Sequence, residues 1–250
     1  MLLHDLTSYL NDFLSIDLFK DYSPNGLQVQ GRSEVKHIVT GVSACARLLE
    51  LAIEKNADAI LVHHGYFWRG EDLCVTGMRR DRLKRLLEND VSLLAYHLPL
   101  DGHHKIGNNA MLAEQLQIKV TGELDTGPGP NFGLIGCIDA TTPDKFAKHI
   151  ETCLGRVPLH VSSDRPEIKT LAWVTGAGQD FIEQAASNGC DAFLSGEISE
   201  RTFHAAKELG IHYYACGHHA TERYGIQALG AHVAKKFDVT CEFVDVDNPV

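Results

Sequence analysis

The 250-residue chain reads as an α/β protein built from two similar halves, and three observations predict it. Short, wholly apolar runs alternate with helix-period segments along most of the sequence. A turn-forming stretch, Asp125 to Asn131, interrupts that alternation near the middle. A pattern that precedes the break then returns after it.

The elements follow in order. Leu6, Leu10, Phe13 and Leu14 recur at helical spacing. His37 to Val42 reads as a strand, and Ala46 to Lys55 as a helix with Leu48, Leu49, Ala52 and Ile53 on one face and Ser43 as its N-cap. Ala59 to Val62 has the unbroken apolar character of a strand buried on both faces. Arg79 to Glu88 forms a helix and Val91 to Tyr96 another buried strand. Beyond the break come a strand (Phe132 to Ile138), a helix (Lys145 to Cys153) and further strand-helix units ending in the strand Ile211 to Ala215. Val39-Thr40-Gly41 aligns with Val174-Thr175-Gly176, and Asp58-Ala59 with Asp191-Ala192. The offset falls from 135 to 133, which implies two residues lost between the landmarks. The expected architecture is two α/β halves, residues 1–125 and 126–250, with mixed, mostly parallel sheets, flanking helices, and a site between the halves.

Composition narrows the function classes. Hydrophobic residues make up 44% and charged residues 22%, which suits a soluble globular chain. Lys plus Arg number 23 against 33 Asp plus Glu, a net charge of -10, with no basic block. Such a chain is a poor non-specific binder of nucleic acid or membrane surface. No apolar run reaches the length of a membrane span. Met1 to Leu6 lacks the basic start and apolar run of a signal peptide, so a cytoplasmic location is expected. The 7 cysteines are odd in number and none is spaced Cys-x-x-Cys, which argues against a disulfide framework, a zinc ribbon and a redox motif.

The 14 histidines are the unusual feature. In open α/β sheets ligands bind beyond the carboxyl ends of strands, and that is where ligand-type side chains gather. Val62 is followed by His63-His64-Gly65, Tyr96 by His97 and then Asp101, and Ala215 by Cys216-Gly217-His218-His219-Ala220-Thr221-Glu222. Neighbouring residues at a strand end point to opposite sides, so His63 and His64 suit two metal ions better than one. His218 and Glu222 are four apart where a helix begins, which puts them on one face. Imidazoles with two carboxylates are the donor set of a two-metal hydrolytic site, and Glu222 suits a bridging role. His103, His104 and His219 read as solvent-facing neighbours of ligands. Glu197, which the repeat sets opposite His64, reads as a helix-starting acid, and Gly176-Ala177-Gly178 as a tight strand-to-helix turn. No Gly-Lys-Ser/Thr phosphate loop, Gly-x-Ser-x-Gly elbow or His-Glu-x-x-His helix occurs.

Four motifs in this order carry a resemblance: Pro24-Asn25-Gly26-Leu27-Gln28-Val29; Val62-His63-His64-Gly65; His97-Leu98-Pro99-Leu100-Asp101 with Gly107-Asn108-Asn109; and Gly217-His218-His219-Ala220-Thr221-Glu222. Across essentially its whole length the chain resembles the bacterial GTP cyclohydrolase I type 2 homologues, the NGG-interacting-factor-three-like proteins. The resemblance implies a duplicated α/β fold, a dinuclear metal centre and a toroidal homohexamer. It places the metal ligands on His63, His64, Asp101, His218 and Glu222, with His97 beside them. Two divalent ions per chain are expected, of zinc, iron, manganese or nickel. Two functional readings stand. One is a metal-dependent hydrolase acting on a small-molecule substrate, with His97 handling a proton. The other is a metal carrier or ring-shaped adaptor without catalysis.

Overall fold

The computed structural model describes all 250 residues. Along the chain lie α1 (Leu3–Phe13), β1 (Gly26–Val29), β2 (His37–Ser43), α2 (Ala46–Glu54), β3 (Ala59–His64), α3 (Gly77–Glu88) and β4 (Ser92–Ala95). The short α4 (Leu98–Asp101) leads to α5 (Asn108–Gln115), β5 (Lys119–Leu124), β6 (Gly133–Thr141), α6 (Pro143–Leu154), β7 (Leu159–Val161) and β8 (Ile168–Val174). Then come α7 (Ile182–Ser187), β9 (Ala192–Ser195), α8 (Glu200–Leu209), β10 (His212–Ala215), α9 (His218–Phe237) and β11 (Thr240–Phe243).

The chain divides into two compact units, Met1–Leu100 with Gly225–Asp247, and Asp101–Tyr224 with Asn248–Val250. These differ from the halves 1–125 and 126–250. Strand pairing explains the difference. β5 hydrogen-bonds antiparallel to β6, which carries residues 119–124 into the second unit, and β11 adds parallel to β2, which returns the end of the chain to the first. Asp101 therefore belongs to the second unit.

The first unit holds a five-stranded sheet in the order β1-β4-β3-β2-β11, parallel except at β1. Val39, Ile60, Val62, Leu93 and Ala95 point to one face, where Leu48, Leu49 and Ala52 of α2 and Leu86 of α3 cover them. On α9, a Cβ at Gly230 would lie 2.9 Å from Thr40, so this helix crosses β2 closely. The second unit holds a six-stranded sheet, β5-β6-β8-β9-β10-β7, parallel only across β8, β9 and β10. Period-2 alternation sends Leu171, Trp173, Leu194 and Tyr214 to one core and Ala172, Val174, Phe193 and Tyr213 to the other. Burial on both faces is why these strands read as continuous apolar runs. All seven cysteines are free thiols.

The duplication has one register throughout its first two strands. Ile38 faces Ala59 and Leu171 faces Ala192, so both partners are displaced by the same 133 positions. The Val-Thr-Gly alignment at offset 135 is thus two residues out, and no residues are lost. The repeated Asp fixes the register. Asp58 accepts from the backbone N–H of Lys36 and His37 and pairs with Arg32 at 2.9 Å. Asp191 accepts from the N–H of Lys169 and Thr170 and pairs with Arg165 at 2.8 Å. Each carboxylate thereby ties its own strand to the start of the preceding one.

Burial acts against both charges, yet these hydrogen bonds and arginines hold Asp58 and Asp191 below the usual carboxylate range. A carboxyl depressed in the folded state contributes stability above its unfolded pKa of about 3.9, and that contribution is lost as pH falls through the lower folded value. Asp191→Ala is expected to reduce the unfolding free energy at pH 7 by about 1–3 kcal/mol. The deficit relative to the parent should shrink in urea melts as pH drops below about 4. A deficit unchanged at low pH would show that the carboxylate charge is not what holds the strand.

Candidate metal centre

In the first unit, the parallel pairing of Val62 with Ala95 sets His63 and His64, the last residues of β3, beside the residues that follow β4. His63 is fully buried, and its Nδ1–H donates to the Tyr96 carbonyl at 2.9 Å. A carbonyl only accepts, so the proton sits on Nδ1 and Nε2 carries the lone pair. His64 Nδ1 meets the Ser43 hydroxyl at 3.0 Å. That contact corrects the reading of Ser43 as N-cap of α2. The cap position is Cys45, without a side-chain bond, and the Ser43 hydroxyl orients an imidazole instead. The rings of His63 and His64 lie 4.4 Å apart rather than splayed as strand alternation predicts. His97 completes the group. His63, His64 and His97 each offer a ligand nitrogen within 4.8 Å of the others.

A loop before β1 holds this triad. Asp21 accepts from His97 Nδ1 at 2.7 Å, from the Leu98 N–H at 2.9 Å and from the Asn25 amide at 2.9 Å. Asn25 in turn accepts from the His97 N–H at 2.7 Å. Burial alone would raise the Asp21 pKa, but the bond and charge of His97, with those amide donors, lower it to about 2. Gln28 accepts from the Tyr66 N–H at 2.7 Å and donates to the Tyr66 carbonyl at 3.1 Å, fixing the turn after His64. Gly65 sits at that turn because any Cβ would collide with the Gln28 amide and with Ala95. These anchors escaped sequence reading, although Asn25 and Gln28 lie in one of the quoted motifs. Their partners are tens of residues away.

In the second unit, Asp101 is buried and accepts from the Asn108 amide at 2.8 Å and the Thr175 hydroxyl at 3.4 Å. Asn109 accepts from the Thr175 N–H at 3.0 Å, and its own carbonyl accepts from the Trp173 indole at 2.9 Å. Gly107-Asn108-Asn109 is thus the bracket that locks Asp101 to the end of β8. His218, at the start of α9, has Nδ1 2.7 Å from Glu197 and Nε2 3.0 Å from Glu222. Burial lowers a histidine's pKa, but Glu222 first and Glu197 second outweigh it and raise His218 to about 9. Glu197 is therefore an imidazole partner, not only the helix-starting acid expected. Glu222 also offers an oxygen within 4.8 Å of a ligand atom of Asp101. Gly176, at φ +61°, leaves room for the pair, since its Cβ would overlap Glu222 and lie 3.0 Å from His218. Its N–H bonds to the Thr221 hydroxyl and its carbonyl accepts from Ser195, so Gly176 is a filled tight turn.

The remaining histidines fall outside these groups. His103 and His104 stack at 5.1 Å and, with Asp101, Lys105, Asn109 and Phe132, line a cavity of about 370 Å³. His219 is buried rather than solvent-facing, and its backbone N–H donates to the Val250 carbonyl. Chemically, the three imidazoles His63, His64 and His97 of the first unit form a group that could hold a metal ion, and Asp101, His218 and Glu222 of the second are side chains of ligand type.

The family model of Duf34/NIF3 (NGG1p interacting factor 3) matches residues 1–249. A protein of Vibrio cholerae serotype O1 named GTP cyclohydrolase 1 type 2 homolog is 53% identical over 250 residues, covering 98% of each chain. One of the same name from Pseudomonas aeruginosa is 50% identical over 248 residues, covering 99% of this chain and 98% of the other. A solved structure described as protein ybgI, of unknown function, is 46% identical and superposes over 100% of both chains with a TM-score of 0.96. The chain belongs to the Duf34/NIF3 family.

Proposed function

We propose that the protein is a metal-dependent hydrolase whose ligands are His63 and His64 from the first unit and Asp101, His218 and Glu222 from the second, serving two divalent ions. One observation carries the reading. All four imidazoles, His63, His64, His97 and His218, are gripped through Nδ1, by a carbonyl, a hydroxyl and two carboxylates. Such partners fix ring orientation, hold the tautomer where the partner is an acceptor, and raise the basicity of the other nitrogen, as partners of metal-bound histidines do. The donor set fits zinc, iron, manganese or nickel.

When bound, ions of this kind supply hydroxide at neutral pH and polarise the group under attack. The chain's own residues do the rest. Asp21 holds the Nδ1 side of His97, so that Nε2 is the atom that takes up or returns a proton. Asn108 and Thr175 keep Asp101 oriented, and Glu197 does the same for His218. The relatives' name makes GTP the first substrate to try. A carrier without catalysis is the second reading, and the position of His97 favours it. A third imidazole within ligand range of His63 and His64 would help close the coordination shell, and a closed shell is structural rather than catalytic.

Glu222→Gln is expected to lower bound metal far more than His219→Ala, with both read by elemental analysis of purified protein. Equal losses would remove Glu222 from the ligand set. Anomalous scattering from loaded crystals should find two ions on the five named residues. His97→Ala should retain metal and lose roughly 10²–10⁴-fold in rate if His97 transfers a proton. Metal loss in that variant would make it a ligand and favour the carrier. The homohexamer is part of the proposal, and light scattering should give six times 27.5 kDa.

A further inference from the structure

Two aromatic side chains border the imidazole triad of the first unit, and neither belongs to the hydrophobic core. Trp68 lies 4.9 Å from the His97 ring, nearly perpendicular at 85°, and 6.0 Å from His64. Tyr22 lies 6.3 Å from His97 and is 58% exposed. The two loops that carry them are tied together. The Arg69 N–H donates to the Tyr22 carbonyl at 2.7 Å, and the Arg69 guanidinium donates to the Asp21 carbonyl at 3.0 Å. The backbone between His64 and Trp68 also holds an unfavourable conformation. Phe67 takes φ +66°, a region a bulky L-residue adopts at a cost, and its ring is left 37% exposed. The turn thus leaves one aromatic ring at the surface and carries the next, Trp68, against His97.

We propose that Trp68 and Tyr22 form the substrate-binding rim of the centre and that they take a planar heteroaromatic group by stacking. The inference rests on the proposed hydrolase reading, because it assigns the rim to that site's substrate. An indole and a phenol anchored by backbone bonds lose little freedom on binding a flat ring, and stacking tolerates any ring with a π-face. An aromatic pair can also attract an organic cation, but the Arg69 guanidinium at the same rim opposes one. A saturated or purely aliphatic substrate would draw no advantage from either ring.

The sequence makes the test direct. The chain has two tryptophans, and Trp173 is fully buried with its indole bonded to Asn109. Fluorescence changes on ligand addition therefore report Trp68. Zinc-loaded full-length protein is titrated with guanosine, ribose and choline, with zinc content measured alongside. Guanosine should give a saturable change that ribose and choline do not. Trp68→Phe should bind guanosine within a few-fold of the parent, followed by calorimetry since the reporter is gone. Trp68→Ala should lose about ten- to a hundredfold in affinity with zinc content unchanged. Equal response to guanosine and ribose, preferential binding of choline, no saturable response, or full affinity in Trp68→Ala would each overturn the proposal. So would loss of zinc in Trp68→Ala, since Trp68 would then act by supporting His97. If the parent binds no zinc but guanosine binding still depends on Trp68, the hydrolase reading fails and the rim stands.

Discussion

The chemistry of the first unit depends on the parallel pairing of β3 with β4. Because Val62 lies opposite Ala95, the last two residues of β3, His63 and His64, run on beside Tyr96 and His97, which follow β4. His63 then reaches the Tyr96 carbonyl, and His97 comes within ligand range of His63 and His64. A slip of one residue would turn His63 from the buried side to the other face and break that bond. The loop bearing Asp21 and Asn25 is built onto this pairing, since its three bonds reach the N–H groups and ring of His97 and Leu98.

The duplication shows how one scaffold was used for two tasks. At the shared register, His63 and His64 correspond to Gly196 and Glu197. In the first copy the strand end offers two imidazoles. In the second the glycine allows close approach, since a Cβ at Gly196 would lie 2.6 Å from the His218 Cα. Glu197, in the place of His64, holds an imidazole rather than being one. What the repeat retains is the Asp-Arg clasp that sets strand register, through Asp58 with Arg32 and Asp191 with Arg165. The two copies thus share the clasp and differ at the strand ends.

The periodicity of the sequence revealed most of the fold. The strands at His37, Ala59 and Val91 and the helices at Ala46 and Arg79 appear within a few residues of their expected bounds. The His218–Glu222 spacing was legible because a helix turn has fixed geometry, whereas strand alternation predicted a splayed His63–His64 pair and the rings lie 4.4 Å apart. What stayed hidden depends on long-range pairing. Nothing local assigns β5 to the second sheet or β11 to the first. Asp21 is 76 residues from His97 and Ser43 is 21 from His64, so their roles appear only once the strands are side by side. Trp68 was invisible for a related reason, because its value lies in a turn of positive φ that no sequence pattern announces.

Charge gives the outer carboxylates a part in the proposed centre. In the proposed centre, Asp101 and Glu222 are the only anionic ligands, and two divalent ions would leave a local excess of positive charge. Glu197 sits one bond further out, on the Nδ1 of the proposed ligand His218, while Asp21 holds His97, which is not in the proposed ligand set. If the proposal holds, the four carboxylates would match the charge of two divalent ions. Such a balance spares the buried groups the cost of an uncompensated ion in a low-dielectric setting. An anionic or neutral ring would approach a locally balanced centre, and discrimination would then fall to shape and stacking at its rim.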